Sequence, residues 1–316
     1  MQVTRVSYAR RVVGTPFRYQ SPDEDSARWL GFPFRDSDIV ISTRSKTGTT
    51  WVQMICGLLI FQKPELPAPL AQLSPWLDHL IMPRDQVYAE LAAQRHRRFI
   101  KTHTPLDGIP FDPRVTYIVT ARNPLDMAVS LYHQSDNIDR ERLRQLTGQP
   151  ATTAPTKTTA TTVPPRPRKP LHDWLTGWIA RDDDPRQDLD SLPGVMWHLS
   201  GAWARRHEPN ILLVHYDDLM ADLPGQMRRL AGQLKITVAE DTWPELVRAA
   251  SFEAMRDRAD QLVPTAGLFK DNAAFFRRGT SGAGREILDA RELAAYQARV
   301  AQLAPPDLLA WLHAPR

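Results

Sequence analysis

TRSKTGTTW, residues 43–51, lies between a strand-like run, DIVIS (38–42), and an apolar, helix-like run, WVQMICGLLIF (51–61). A strand–turn–helix of this composition is suited to hold an anion. Glycine lets the turn bring its backbone close to a ligand, the helix start offers unpaired N–H groups, and Lys46 adds positive charge. The order of residues is not that of a Walker loop, because no Gly-Lys-Ser/Thr follows a glycine at the required spacing. Lysine comes first here, Thr49 and Thr50 follow the glycine, and no acid is evidently placed to hold magnesium. Such a loop suits a 5′-phosphate-type group bound without a metal.

Further strand-like runs occur at RRFIKT (97–102), VTYIVTA (115–121) and ILLVHY (211–216), each with helix-like sequence downstream. Apolar strands alternating with helices predict an α/β fold with a central, mostly parallel sheet covered on both faces. Ligands in such folds sit beyond the carboxyl ends of the strands, where the polar motifs of this chain cluster. Residues 147–170 are dense in Thr and Pro and nearly free of large apolar side chains, which predicts a mobile insertion within one domain spanning 1–316. Trp174 and Trp178 in WLTGWIA are at helical spacing.

Composition sets outer limits. With 316 residues and 42% hydrophobic content the chain can bury a large core. Cys56 is its single cysteine, which excludes an internal disulfide framework and a cysteine-based zinc cluster. The longest apolar stretch, residues 54–61, is far short of the ~20 residues that span a bilayer. The basic N-terminus lacks the apolar core and cleavage site of a secretory signal, so a cytoplasmic protein is expected. A net charge of +4 suits an anionic ligand, yet 40 basic against 36 acidic residues is too mild an excess to establish nucleic-acid binding. Only seven of the basic residues are lysine, a bias that with abundant Ala and Pro points to a GC-rich, bacterial source.

Three more elements carry chemistry. In VTYIVTARNPLDMAVSLYH, a strand ends at Arg122 and a helix begins after Pro124, with Ser130 two turns on. An arginine at that position suits a forked contact with phosphate, and its plainer reading is an ion pair with Asp126. In FFRRGTSGAGR (275–285), Arg277 and Arg278 adjoin Gly279 in a basic loop. In RRFIKTHTPLDGIP, Lys101 and His103 alternate around Thr102 at a strand end and share a face. A histidine so placed is a candidate general base.

Taken together, SKTGTTW, IKTHTPL, ARNPLDMAVSLYH and FFRRG, in that order from Ser45 to Gly279, resemble the sulfotransferases that use 3′-phosphoadenosine 5′-phosphosulfate (PAPS). SPWLDHLI, HRRFIKTHTPLDGIP and LAPPDLLAW look similar to the mycobacterial glycolipid-type members. The resemblance implies a P-loop-like three-layer domain and an O-sulfotransferase. Lys46, Thr47, Gly48, Thr49 and Thr50 would hold the 5′-phosphosulfate, and Trp51 would stack on adenine. Arg122, Ser130, Arg277, Arg278 and Gly279 would hold the 3′-phosphate. Tyr216, Ser251 and Phe252 correspond to adenine-side contacts, although Trp51, Tyr216 and Phe252 also suit ordinary core packing. His103 would take the proton of an acceptor hydroxyl, with Lys46 and Lys101 stabilising the transferring and leaving groups. No metal is implied. The acceptor would be a small molecule or a lipid bearing a hydroxyl, with no nucleic-acid partner; SPWLDHLIMP and WLTGWIA are its candidate apolar wall, or else core.

Two stretches depart from the family pattern. Ala283 and Gly284 stand where the closing loop usually has Asp-Trp, and Arg44-Ser45 where the lysine loop usually has Tyr-Pro. The alternatives are a P-loop kinase, disfavoured by the lysine–glycine order, and a non-catalytic nucleotide- or RNA-binding protein, whose main support is the pI of about 9.3.

Overall fold

The computed structural model describes residues 15–146, 168–263 and 267–316. Most of the Thr/Pro-rich segment expected as an insertion at 147–170 lies outside these residues. Four strands, β1 (Ile39–Ser42), β2 (Phe99–Thr102), β3 (Thr116–Ala121) and β4 (Ile211–His215), form one sheet in the order β2-β1-β3-β4. All pairings are parallel, with Ile41 opposite both Lys101 and Ile118, and Thr120 opposite Val214. The strand runs read from the sequence are all present.

Alternation along the strands explains the three layers. Val40, Ile100, Tyr117 and Val119 join one apolar cluster, whereas Ile39, Ile41, Phe99, Ile118 and Val214 join the other. The first cluster packs on the helices Pro124–Asn137, Leu171–Ala180, Leu192–Ala204 and Ala290–Leu303. The second packs on α1 (Thr49–Phe61) and on the helices Leu223–Gln233 and Trp243–Ala249. A sheet buried on both faces needs apolar residues at successive positions, which is why its strands read as unbroken apolar runs. Trp178 is 3% exposed and belongs to the first cluster, so WLTGWIA is core rather than ligand wall. Cys56 is likewise buried core.

At the amino ends of β1 and β2, Arg98 and Asp38 form a buried ion pair in which the guanidinium also donates to the carbonyl of Pro33. The carboxyl ends are left for ligands. Among the described residues no helix is long and apolar enough to cross a membrane.

Candidate active site

Each strand delivers one functional residue at its carboxyl end. The chain leaves β1 into the lysine loop, β2 into His103, β3 into Arg122 and β4 into Tyr216. Sheet order therefore sets their sequence in space: His103, the lysine loop, Arg122, Tyr216. They line one cavity of about 340 Å³, within the range of small-ligand sites.

The lysine loop is held by its own hydroxyls. Thr47 donates to the carbonyl of Arg44 at 2.7 Å and meets Thr120 Oγ1 at 2.7 Å, while Thr43 and Thr49 pair at 2.6 Å. Thr47 is 1% exposed and its amide also points back to Arg44, so it shapes the turn and does not line the cavity as expected. Lys46 sits at φ 64°, a left-handed conformation that costs a lysine energy and is typical of functional turns. Gly48, at φ 107°, opens α1 without a side-chain cap, leaving first-turn N–H groups for a ligand.

Arg122 connects the two phosphate-type loops. It donates to the carbonyl of Lys46 at 3.2 Å and to that of Thr280 at 3.1 Å, with its guanidinium 4.1 Å from the centre of the Tyr216 ring. The Nε atoms of Arg122 and Arg277 are both buried without a hydrogen-bond partner among the described residues. Burial lowers the Lys46 ammonium to a pKa of about 7, and Arg122, Arg277 and Lys101 push it the same way. Cations that repel one another around a cavity, with buried donors unpaired, fit an anionic ligand.

The ion pair expected as the plain reading of Arg122 is absent from the described residues. Asp126 instead accepts from the backbone N–H of Gly282 and Gly284, each at 2.9 Å. A Cβ on residue 284 would come within 2.5 Å of Leu125, so the glycine lets the short helix Ala283–Ile287 seat on the start of helix Pro124–Asn137. The closing loop is thus anchored without the Asp-Trp pair.

At the other end, His103 is 6% exposed, and its Nδ1 lies 2.5 Å from the carbonyl of Thr43. A carbonyl only accepts, so Nδ1 carries the proton and Nε2 keeps its lone pair. Burial holds the His103 pKa well below the ordinary value, helped by Lys101 and Arg44, and so keeps the ring neutral. Lys101 lies over the Trp76 ring at 3.6 Å; burial lowers its pKa to about 7, against the raising influence of Glu24 and Asp78.

Lys46, Lys101, His103, Gly48, Thr49, Thr50, Trp51, Arg122, Ser130, Tyr216, Phe252, Arg277, Arg278 and Gly279 all line the cavity. Trp51 donates its indole N–H to the carbonyl of Ala250 and packs edge-on to Tyr216. Ser251 does not line the cavity. Its hydroxyl caps the helix Phe252–Asp257 by accepting from Ala254 N, and so positions Phe252. Sequence reasoning missed the anchoring role of Asp126, the cavity-lining Glu24, His79 and Asp190, and Phe275, whose ring lies 4.1 Å from Lys46 Nζ. Trp76 and His79 had a signal, since both lie in the SPWLDHLI segment; Asp190 had none.

The model of the sulfotransferase domain family matches residues 36–304. The chain is 41% identical over 307 residues to a glycolipid sulfotransferase of Mycobacterium bovis, covering 93% of each. Its fold is similar to that of retinol dehydratase in complex with androsterone and PAP, with a TM-score of 0.63 at 20% identity over 92% of this chain and 86% of that one. It is also similar to a mouse sulfotransferase complexed with PAP, with a TM-score of 0.60 at 19% identity over 88% and 87% of the two chains. The family match, the four strand-end residues and the cationic cavity agree: this chain belongs to the sulfotransferase family.

Proposed function

We propose that the enzyme transfers the sulfuryl group of PAPS to a hydroxyl of a lipid or glycolipid, with His103 as general base. The observation that carries this reading is the pair of buried, unpartnered Nε atoms of Arg122 and Arg277 in the same cavity as Lys46, beside a histidine whose Nε2 is free to accept a proton. The donor supplies the sulfuryl group and leaves as 3′-phosphoadenosine 5′-phosphate (PAP).

In this mechanism Arg122, Arg277, Arg278 and Ser130 hold the 3′-phosphate, while Lys46 and the amides of Gly48, Thr49 and Thr50 hold the 5′-phosphate. His103 Nε2 takes the acceptor hydroxyl proton as that oxygen bonds to sulfur and the bond from sulfur to the departing phosphate oxygen breaks. Lys46 neutralises charge growing on that oxygen, and Lys101 steadies the group in flight. Trp51, Tyr216 and Phe252 form the adenine side. Thr47 and Ser251 contribute by shaping the turn and the cap.

The lipid or glycolipid acceptor is supported by the 41% identity to the mycobacterial enzyme and by the apolar side of the cavity at Leu131, Ile138, Leu268 and Phe269. Convergence of the cations on a single cavity favours a small donor over a nucleic acid. The proposal is of a single-domain, cytoplasmic enzyme. Incubation with PAPS and a panel of lipid and glycolipid alcohols, followed by mass spectrometry, tests it. A sulfated product from wild type, lost in His103→Ala, is expected; phosphoryl transfer from ATP under the same conditions would point to the kinase reading.

A further inference from the structure

The pair Arg44-Ser45, which departs from the family's usual Tyr-Pro, has a defined structural task. Arg44 is almost fully buried, and its guanidinium donates in three directions: to the carbonyl of Leu189 at 3.1 Å, to Asp190 Oδ1 at 2.7 Å, and to the carbonyl of His103. Ser45 donates to the other carboxylate oxygen of Asp190 at 3.1 Å. The backbone of Asp190 is fixed as well, donating to Asp188 at 3.1 Å and accepting from the indole of Trp178 at 2.9 Å. Yet the Asp190 side chain is 41% exposed and lines the cavity. Both departing residues therefore clamp one carboxylate in the wall of the active site.

A carboxylate there repels the polyanionic donor, so it serves the acceptor. Glu24 and Asp23 line the same cavity, with Trp76 as an aromatic wall. Two buried groups in that cavity point independently to a ligand. His103, 6% exposed, has no partner for Nε2 among the described residues, and the Lys101 ammonium, 5% exposed, has no hydrogen-bond acceptor among them. A simple alcohol has one O–H, which it must give to His103. A carboxylate held with its remaining lone pairs open towards the cavity can accept a second O–H from the acceptor, which a simple alcohol lacks.

We infer that Asp190, clamped by Arg44 and Ser45, selects acceptors carrying a second hydroxyl beside the one that is sulfated, as in a sugar headgroup. This rests on the sulfuryl-transfer reading and adds the residue that sets acceptor class. The link from Arg44 to the His103 carbonyl fixes the distance between base and selector.

The test compares octyl β-D-glucoside with 1-octanol, which share a chain and differ in hydroxyl count, using PAPS and the full chain. Both acceptors are assayed for turnover and for binding to the PAP-loaded protein, with PAP affinity measured alongside. Wild type should favour the glucoside. In Asp190→Ala the loss should be at least about tenfold greater for the glucoside than for octanol, and should appear in KM for the acceptor. The gentler Asp190→Asn, which keeps the side-chain volume, should show the same direction with PAP affinity held within about twofold. No preference for the glucoside in turnover or binding, or equal losses for both acceptors, would overturn the inference and leave the sulfotransferase reading standing. Failure of wild type to bind PAP would overturn the reading itself.

Discussion

The carboxylate of Asp126 accepts a 2.9 Å hydrogen bond from the backbone N–H of Gly284, and an equal one from Gly282. Asp126 follows Arg122 by four residues, so one short segment holds the phosphate-side arginine and the anchor of the loop that brings Arg277 to it. Asp126→Ala should weaken PAP binding about tenfold, since two charge-assisted bonds that order the loop are lost. Deuterium exchange of residues 277–287 should rise in the same variant. Unchanged exchange there would refute the anchor.

The charge state of Lys46 gives donor binding a pH dependence. Burial sets its pKa at about 7 in the free protein, so it is mostly neutral at pH 8. Bound phosphate favours the ammonium and raises that value, so binding takes up a proton above pH 7. Affinity for PAP should fall by up to about tenfold per pH unit on that side. Calorimetry in buffers of different ionisation enthalpy should count the proton, and Lys46→Met should remove its contribution. Lys101, also near 7, sets a ceiling of two.

His103 behaves in the opposite sense. Burial beside Lys101 and Arg44 disfavours its cationic form, so in the free enzyme the base stays neutral through pH 6.5 and the acid limb of kcat/KM should lie well below that pH. His103→Ala should reduce kcat by about 10²- to 10⁴-fold while PAP affinity stays within about threefold. An equal loss of PAP affinity would mean that the residue is part of the donor site.

Gly279 has φ 64°, and a Cβ there would come within 2.5 Å of the Phe252 ring. Gly279→Ala should therefore displace the Arg277–Arg278 loop and lower PAP affinity by roughly tenfold or more, with little change in melting temperature, because the loop lies at the rim. A fully active variant would show that the loop does not close on Phe252.

The sheet and most of the site were legible because their causes are local. Strands buried on both faces require apolar runs, and a residue after a strand end in a parallel sheet points to the ligand side, which placed Lys46, His103 and Arg122 without coordinates. What stayed hidden depends on long-range pairing or on which way a turn faces. Thr47 looks like a ligand hydroxyl until Thr120 is placed 2.7 Å away. Ser251 looks like a contact until Ala254 shows it to be a cap. Arg44 and Asp190 lie 146 residues apart, and nothing in either segment announces the other. The closing loop has Ala283 and Gly284 in place of the usual pair, and its anchor, Asp126, lies 156 and 158 residues before the amides it holds, so its sequence neighbourhood offers only Arg122 as an alternative partner.

The central claim is that this cavity is built for a nucleotide carrying a 3′-phosphate. The most direct measurement is the calorimetric affinity of PAP, AMP and ATP for wild type and Arg122→Ala. PAP should bind wild type at least about a hundredfold more tightly than AMP, as expected from two or more charge-assisted hydrogen bonds, and most of that advantage should vanish in Arg122→Ala. Equal affinity for PAP and AMP, or a preference for ATP that survives the loss of Arg122, would contradict it.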